Sequence, residues 1–186
     1  RAYASSGGVA ELNIDMRVGA GGALDWLPQE TILFEGSALS RRTMIALEGD
    51  ARLLMLETVV LGRVAMGETL TSAFLHDSRS VTRDGRPVLM EPLRLTAETL
   101  RRGGASAGLR GARAIATLAL VAPGAEDALG PLRAAFPGDG VEAAASAWTG
   151  KCVARFMGSD AALLRRALVR AITTLRGGPL PRVWQI

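Results

Sequence analysis

The side chains with the clearest chemical potential are three glutamates that stand among apolar, glycine and proline residues. Glu30 lies in the run WLPQETI at 26–32, Glu68 ends the run GRVAMGE, and Glu57 interrupts an otherwise apolar stretch. A carboxylate in such surroundings is costly unless it is paired or hydrogen-bonded. The three glutamates therefore either pair with Arg63 in a buried structural network or line a polar path for a ligand or a cation.

Other candidate catalytic groups are few, because the chain has one histidine and one cysteine. His76, Asp77 and Ser78 are the residue types of a hydrolytic triad, but neighbours on a strand point to opposite faces and cannot converge. A surface or edge histidine is the favoured interpretation. Cys152 is predicted to be a buried structural thiol. One His and one Cys also exclude a zinc site of the usual type within one chain.

Glycine and arginine clusters carry little evidence for nucleotide or nucleic-acid binding. Glycines 19, 21 and 22 join two predicted strands and lack the strand-to-helix context of a phosphate loop. Arginine pairs at 41–42, 101–102 and 165–166 have no interleaved aromatic residues for base stacking. The net charge is only +4. A solvated arginine face or a protein partner is favoured over RNA.

Apolar patterns predict strands along most of the chain. Residues 9–18 alternate apolar and polar side chains, as a half-buried strand does, and a turn then leads to a second strand around Trp26. Asp84-Gly85 and Thr149-Gly150 are hairpin signals. Further strands are predicted at 31–34, 39–48, 53–61, 69–75, 80–82, 87–90, 113–121, 141–148, 151–157 and 182–186.

Two helices are predicted near the C-terminus, at 123–136 and 159–176, and 97–111 is interpreted as a connection. In the second helix leucine and isoleucine residues line one face and arginines lie toward the other. Ser159 is its predicted N-cap and Gly177 follows its end. The predicted fold class is mainly β, with many short strands in a layered or helical β-sheet arrangement and two α-helices near the C-terminus.

Composition indicates an ordinary folded domain. The chain has 186 residues, of which 48% are apolar, and 22 are glycines, which suits one turn-rich domain with a buried core. Its apolar stretches fall short of the roughly 20 residues that cross a bilayer, so no integral membrane protein is expected. A lone cysteine and the lack of a leader pattern make a cytoplasmic location the expectation.

At the two glutamate-bearing segments the sequence resembles the urease accessory protein UreD family, called UreH in some bacteria. WLPQETI followed by Phe34, then GRxxMGE in order, is a specific combination. Further matching stretches are Tyr3 with Ser5-Ser6-Gly7, Arg83-Asp84-Gly85-Arg86, Leu175-Arg176-Gly177-Gly178-Pro179 and Pro181-Arg182-Val183-Trp184. The resemblance covers essentially the whole chain from Tyr3 onward. It implies a single UreD-like domain over 1–186 that lacks the family's N-terminal strands.

The resemblance implies a non-enzymatic assembly factor for the nickel enzyme urease. Its expected partners are the UreF accessory protein, the GTPase UreG through UreF, and the urease apoprotein, within a hetero-oligomer and without nucleic acid or membrane. No tightly bound cofactor is expected, and nickel is expected only in transit. The face carrying Arg165, Arg166 and Arg170, together with Arg182 and Trp184, is the expected partner surface.

Metal chemistry limits the nickel hypothesis. Nickel favours imidazole and thiolate over carboxylate, so this chain cannot hold it tightly alone. Glu30 and Glu68, facing a wet interior, could attract a divalent ion and release it, with Gln29 and Thr31 adding neutral oxygens. Two other classes remain open: a hydrolase that uses paired carboxylates for acid-base chemistry, and an arginine-rich RNA-binding module.

Overall fold

The computed structural model describes residues 1–63, 66–102, 104, 108–136, 138 and 140–185. The described chain is mostly strand, with helices mainly in its second half, and this confirms the predicted fold class. The strands are β1 Ala10–Val18, β2 Ala23–Trp26, β3 Thr31–Leu33, β4 Ala38–Leu47, β5 Arg52–Leu61, β6 Phe74–Arg83, β7 Arg86–Leu95, β8 Ala114–Val121, β9 Val141–Trp148 and β10 Lys151–Gly158. The helices are α1 Ala97–Arg101, α2 Leu129–Ala134 and α3 Ala161–Arg176.

The chain divides into two compact units, and each is built from separate stretches of sequence. The first unit comprises Arg1–Gly22, Thr31–Ala51 and Val60–Gly111. The second comprises Ala23–Glu30, Arg52–Val59 and Ala112–Ile186.

The first unit contains a four-stranded sheet in the order β1-β4-β6-β7. β1 and β6 both run parallel to β4, whereas β7 is antiparallel to β6. Asp84 and Gly85 connect β6 to β7 with positive φ angles of 50° and 76°, the geometry of a tight hairpin turn, so this hairpin prediction is confirmed. β3 pairs with β5, and the Gly62 amide just after β5 donates to the Leu33 carbonyl at 2.9 Å.

The buried face of this sheet carries a polar group between apolar residues. Arg41 on β4 is the register partner of Asp77 on β6, and Thr43 is the partner of Arg79. The Arg41 guanidinium donates from Nε at 2.9 Å and from Nη2 at 2.7 Å to the two Asp77 oxygens. Arg79 Nε lies 3.6 Å from Asp77 Oδ2. Asp77 is fully buried, so the bidentate pair compensates its desolvation.

The second sheet has the order β2-β5-β8-β10-β9. β2 runs parallel to β5, and β10 is antiparallel to both β8 and β9. The predicted hairpin at Thr149-Gly150 is confirmed, with β9 and β10 paired on either side of it. β1 and β2 follow each other across the predicted turn but belong to different sheets.

Helix α3 is the longest helix of the described chain, and its position agrees with the prediction. Its apolar face is buried through Leu164, Ala167, Leu168, Ala171, Ile172 and Leu175. The N-cap is Asp160, whose Oδ1 accepts from the Ala162 and Leu163 amides at 2.6 and 3.1 Å, so the prediction of Ser159 as the cap is wrong. Gly177 ends the helix with a φ of 67°.

The structure differs from three other local predictions. The strand predicted at 69–75 begins only at Phe74, because the Thr71 amide donates to the Glu35 side chain at 2.7 Å instead of to a neighbouring strand. The connection predicted at 97–111 begins with the short helix α1, which is capped by Thr96; residues 103 and 105–107 lie outside the described residues. The terminal strand predicted at 182–186 is a 3₁₀ turn over Arg182–Trp184, and residue 186 is not described.

No helix in the described parts of the chain combines the length and the apolar character needed to span a bilayer.

The buried Asp77 pair gives a stability prediction. Asp77→Asn removes the charge that compensates two buried guanidinium groups, and we expect a loss of about 3–5 kcal/mol in the free energy of unfolding. The control is Asp15→Asn on the exposed side of β1, for which we expect a change within about 0.5 kcal/mol. Urea denaturation measures both. Equal midpoints for the two variants would contradict this assignment.

Candidate functional site

The guanidinium of Arg165, in the early part of α3, is the centre of a polar cluster in the second unit. Its Nη1 donates to Gln29 Oε1 at 3.1 Å and to Glu30 Oε2 at 3.3 Å. Its Nη2 donates to the Val183 carbonyl at 3.0 Å, and its centre lies 4.6 Å from the centroid of the Trp184 ring. We call these five residues the Arg165 cluster. A planar guanidinium suits this task because it can hydrogen-bond and stack at once.

The turn near the end of the chain is fixed to the segment 26–30 by this cluster. Trp184 is 3% exposed, and its indole Nε1 donates to the Leu27 carbonyl at 2.9 Å. Gln29 Nε2 donates to the Val183 carbonyl at 3.2 Å. The WLPQE part of the first motif and the PRVW motif are thus in contact. The buried indole of Trp184 acts as an anchor, while Arg182 beside it is exposed.

A second set of ion pairs attaches the same segment to the other end of α3. Asp25 Oδ2 accepts from Arg176 Nε at 2.6 Å, and Asp25 Oδ1 accepts from Arg52 Nη1 at 3.0 Å. Arg52 Nη2 also donates to the Leu175 carbonyl, in the last turn of the helix, at 2.9 Å. All three side chains are about one quarter exposed, so solvent weakens these pairs.

The spacing of these contacts indicates that segment 25–30 runs antiparallel to α3. Position 25 contacts residue 176 and position 30 contacts residue 165. Eleven helical residues rise about 16 Å, and five extended residues span about the same distance. The matched lengths explain how Asp25 and Glu30 reach arginines at opposite ends of one helix.

Glu57, the third glutamate singled out from the sequence, lies on β5 and is 3% exposed. Its Oε1 accepts from the Trp26 indole Nε1 at 2.8 Å. The first residue of the WLPQETI run is therefore also held by a side-chain hydrogen bond. Thr31 belongs to the first unit instead, where its hydroxyl accepts from Arg41 Nη1 at 3.2 Å.

Glu68 accepts four hydrogen bonds from Arg63 and Glu35 in the first unit. Its Oε2 accepts from the Arg63 amide at 2.8 Å and from Arg63 Nε at 3.0 Å. Its Oε1 accepts from Arg63 Nη2 at 3.2 Å and from the Glu35 amide at 3.1 Å. The hydrogen bonds from the Arg63 side chain, then those from the Arg63 and Glu35 amides, lower the pKa of Glu68 to about 2. The predicted pairing with Arg63 is therefore found for Glu68, whereas Glu30 pairs with Arg165. Residues 64 and 65 of this motif lie outside the described residues.

Arg63 also makes an aromatic contact. The Arg63 guanidinium carbon lies 4.4 Å from the centroid of the Phe34 ring, and Tyr3 packs edge-on against Phe34 at 5.0 Å between centroids. Three stretches of the family resemblance, those at Tyr3, Phe34 and 62–68, therefore meet in the first unit.

No group of three or more His, Cys, Asp or Glu side chains in the described residues is arranged to hold a metal ion. Both Glu30 and Glu68 already face an arginine. The conduit role of Glu30 and Glu68 stays a prediction.

The remaining predicted residues are placed as follows. Arg166 and Arg170 lie one turn apart on the exposed side of α3, and no side-chain partner is recorded for either among the described residues. His76 is exposed while Asp77 is fully buried, so the two do not converge. Cys152 is buried as predicted, and burial raises the pKa of its thiol against a smaller opposing effect of Arg133.

The structural roles of two residues are not evident from the sequence. Asp77 was considered only as a triad member, although its place in a buried alternating strand signals a need for the arginine that Arg41 supplies. Arg165 is predicted from the sequence as part of a partner surface, but in the structure its side chain is engaged within the chain, and nothing in its local sequence reveals partners that lie about 135 positions away.

The chain is similar to known proteins over nearly its whole length. A family profile described as the UreD urease accessory protein matches residues 1–185, which include parts of both units. The chain is 58% identical over 185 residues to the urease accessory protein UreD of Cereibacter sphaeroides strain ATCC 17025, and covers 67% of that protein. It is 48% identical over 186 residues to the protein of the same name from Jannaschia sp. strain CCS1, and covers 69% of it.

These similarities show a protein of the accessory class, not of an enzyme class. The chain belongs to the UreD family of urease accessory proteins, which confirms the resemblance found in its motifs. It spans about two thirds of the length of the curated relatives it matches. Its description as a single domain stays a prediction.

Because Arg165 contacts Val183 and Trp184, we expect its removal to loosen the 3₁₀ turn at Arg182–Trp184. In Arg165→Ala the 3₁₀ turn loses two contacts, the hydrogen bond to the Val183 carbonyl and the stacking on the Trp184 ring. We expect this loss to cost about 1.5 kcal/mol and to raise the local opening of the turn roughly tenfold. Trypsin cleavage after Arg182, followed by mass spectrometry, measures this opening. Arg166→Ala is the control, because Arg166 is exposed on the same helix. Equal cleavage rates in the two variants would show that Arg165 does not hold the turn.

The lowered pKa of Glu68 leads us to expect a specific pH dependence of stability. Its pKa is lowered from 4.5 to about 2 in the folded chain, so the stabilisation is fully present above about pH 4.5 and is lost as the pH falls through about 2. Wild type should therefore exceed Glu68→Gln in unfolding midpoint at pH 7, with the difference shrinking below about pH 4.5. Urea titrations at pH 7, 5 and 3 measure the difference. Glu11→Gln, on exposed β1, should show no such trend, and a pH-independent difference for Glu68→Gln would contradict the assignment.

Proposed function

We propose that this chain acts in urease maturation as a non-enzymatic scaffold that helps deliver nickel to the apoprotein. The observation that carries the proposal is the family match over 1–185, in which the motif segments are structural partners of one another. As family members are named for a role accessory to urease, association with urease and with other accessory proteins follows. The cytoplasm is the expected location.

The proposed partner surface is the exposed arginine face of α3. Arg166 and Arg170 project from a helix whose opposite face is fully engaged in the core of the second unit. Two adjacent cations on a rigid helix suit an acidic protein surface. We assign this face to UreF, with UreG joining through UreF and urease contacting another part of the assembly.

Nickel is the cargo in this proposal, not a resident cofactor. A carrier must release its ion, so weak oxygen donors such as Glu30 and Glu68 suit transfer better than a closed site. In the resting chain each carboxylate is neutralised by an arginine, and an incoming cation would compete with that arginine. Such competition keeps the affinity low.

The alternative of a carboxylate hydrolase is disfavoured by the electrostatics. A general acid near neutral pH needs a raised pKa, whereas the pKa of Glu68 is lowered to about 2. No observation in the structure favours RNA binding over a protein partner.

Affinity capture tests the scaffold role. The chain is co-expressed with UreF, UreG and the urease subunits, and the captured proteins are identified and quantified. We expect UreF and urease to be captured, with UreF reduced at least tenfold by Arg166→Glu/Arg170→Glu. Arg94→Glu on β7 is the control, since Arg94 is exposed on a different element. Capture unaffected by the double change would reject α3 as the UreF surface.

A second experiment tests the carboxylate path. Nickel-dependent urease activity is compared in cells that carry wild type, Glu30→Gln or Arg165→Met, with capture of UreF verified in each. Glu30→Gln removes the charge and the ion pair, whereas Arg165→Met removes the ion pair together with the contacts to Val183 and Trp184 and keeps the carboxylate. We expect a large loss of activation only in Glu30→Gln. Equal losses of activation in both variants would indicate that Glu30 acts only through its structural pairing with Arg165 and not in nickel transfer.

A further inference from the structure

Strand β9 is the terminal strand of the second unit's sheet, in the order β2-β5-β8-β10-β9. Its sequence, VEAAASAW, contains one charged residue, Glu142, and no proline. The terminal strand β7 of the other sheet differs, because it carries Pro87 and Pro92, which lack an N–H, and the exposed Arg94. Proline and charged side chains are the usual means by which an edge strand resists pairing with another strand. The sequence of β9 therefore lacks most of the protection that β7 carries.

The hairpin geometry indicates which carbonyls of β9 point outward. β9 and β10 are joined by the two residues 149–150, and Trp148 lies opposite Lys151. Residues that flank a two-residue turn form a hydrogen-bonded pair, and such pairs alternate with non-hydrogen-bonded pairs along the strands. Ala145, three residues before Trp148, therefore belongs to a non-hydrogen-bonded pair. Its N–H and C=O point away from β10, toward the outer side of the sheet.

A helical segment lies against β9. It consists of a 3₁₀ helix, Ala125–Ala128, and α2, and we call it the covering segment. Arg133 Nη2 donates from this segment to the Ala145 carbonyl at 2.7 Å. Ala145 is 6% exposed, although it lies on an edge strand. The carbonyl that an added strand would use is therefore already occupied.

Side-chain contacts hold the covering segment in place at both of its ends. Near its start, Glu126 Oε2 accepts from the Gly150 amide in the hairpin turn at 2.8 Å. Leu132 in α2 is fully buried. Just after α2, Phe136 packs edge-on against Phe156 of β10, with 5.5 Å between the ring centroids. Both partners of each of these contacts belong to the second unit, so the covering does not depend on any further part of the protein.

We propose that Arg133 and the covering segment close the edge of β9 against pairing with β9 of a second copy of this chain. Two β9 strands can align antiparallel about a two-fold axis between Ala144 and Ala145, which places mostly small side chains opposite one another. The guanidinium of Arg133 prevents this pairing because it holds the Ala145 carbonyl at the centre of the strand. The inference is independent of the role in urease maturation and of the α3 surface.

Sedimentation velocity over a concentration series tests the proposal by comparing wild type with Arg133→Met. Methionine keeps part of the apolar stem and removes every donor, so we expect self-association to become about tenfold stronger or more. Arg133 is exposed, so the variant should fold, which circular dichroism checks. Arg133→Gln is the second variant should the first fold poorly. Arg86→Met, the same change at an exposed position of β7, is the matched control and should behave as wild type does.

Hydrogen exchange distinguishes strand pairing from local unfolding. In Arg133→Met the amides of residues 141–148 should exchange more slowly as the protein concentration rises, because pairing with a second copy protects them. Adding Ala144→Lys to Arg133→Met places a charge at an exposed position of the edge strand. This addition should return the association to the level of wild type.

Three results would overturn the proposal. Association of Arg133→Met no stronger than that of wild type would show that Arg133 does not guard the edge. Faster exchange of residues 141–148 at every concentration would show that Arg133 only keeps this region folded. Association that persists after the addition of Ala144→Lys would place the contact between copies outside β9.

Discussion

One guanidinium group, that of Arg165, joins parts of the second unit that are far apart in sequence. It contacts Gln29 and Glu30 near one end of the unit's sequence and Val183 and Trp184 near the other. With the side chain 23% exposed, these contacts are partly shielded from water and are worth more than those of a surface pair. The segment 25–30, the helix α3 and the 3₁₀ turn after it depend on this residue for their mutual fit.

In the first unit, too, arginine side chains neutralise carboxylates. Arg41 pairs with Asp77 within the sheet, and Arg63 pairs with Glu68, the last residue of the GRVAMGE motif. In a chain whose basic residues are arginine except for Lys151, acids placed among apolar residues are matched by planar, bidentate donors. Glu30 and Glu68 are thus both engaged by arginines, and any role in cation transfer must work against these pairs.

The parts of the fold that follow from local sequence patterns could be predicted, whereas contacts between residues far apart in sequence could not. The alternation in β1, the Asp84-Gly85 turn and the apolar stripe of α3 arise from periods of two or 3.6 residues, so they can be read from sequence alone. The structure of the stretch before Phe74 could not be predicted from the sequence, because the Thr71 amide donates a hydrogen bond to the side chain of Glu35, 36 positions away. The motifs identified the family, but the partners of Glu30 and Trp184 came only from tertiary structure.

A double-mutant cycle between Arg165 and Glu30 tests the central claim most directly. The unfolding free energies of wild type, Arg165→Met, Glu30→Gln and the combined variant give the coupling between the two side chains. The structure predicts a favourable coupling of about 0.5–2 kcal/mol, because the two groups form an ion pair in a partly shielded cluster. A parallel cycle of Arg165 with Glu126, whose carboxylate accepts from the Gly150 amide, should be additive. A coupling of zero between Arg165 and Glu30 would contradict the account.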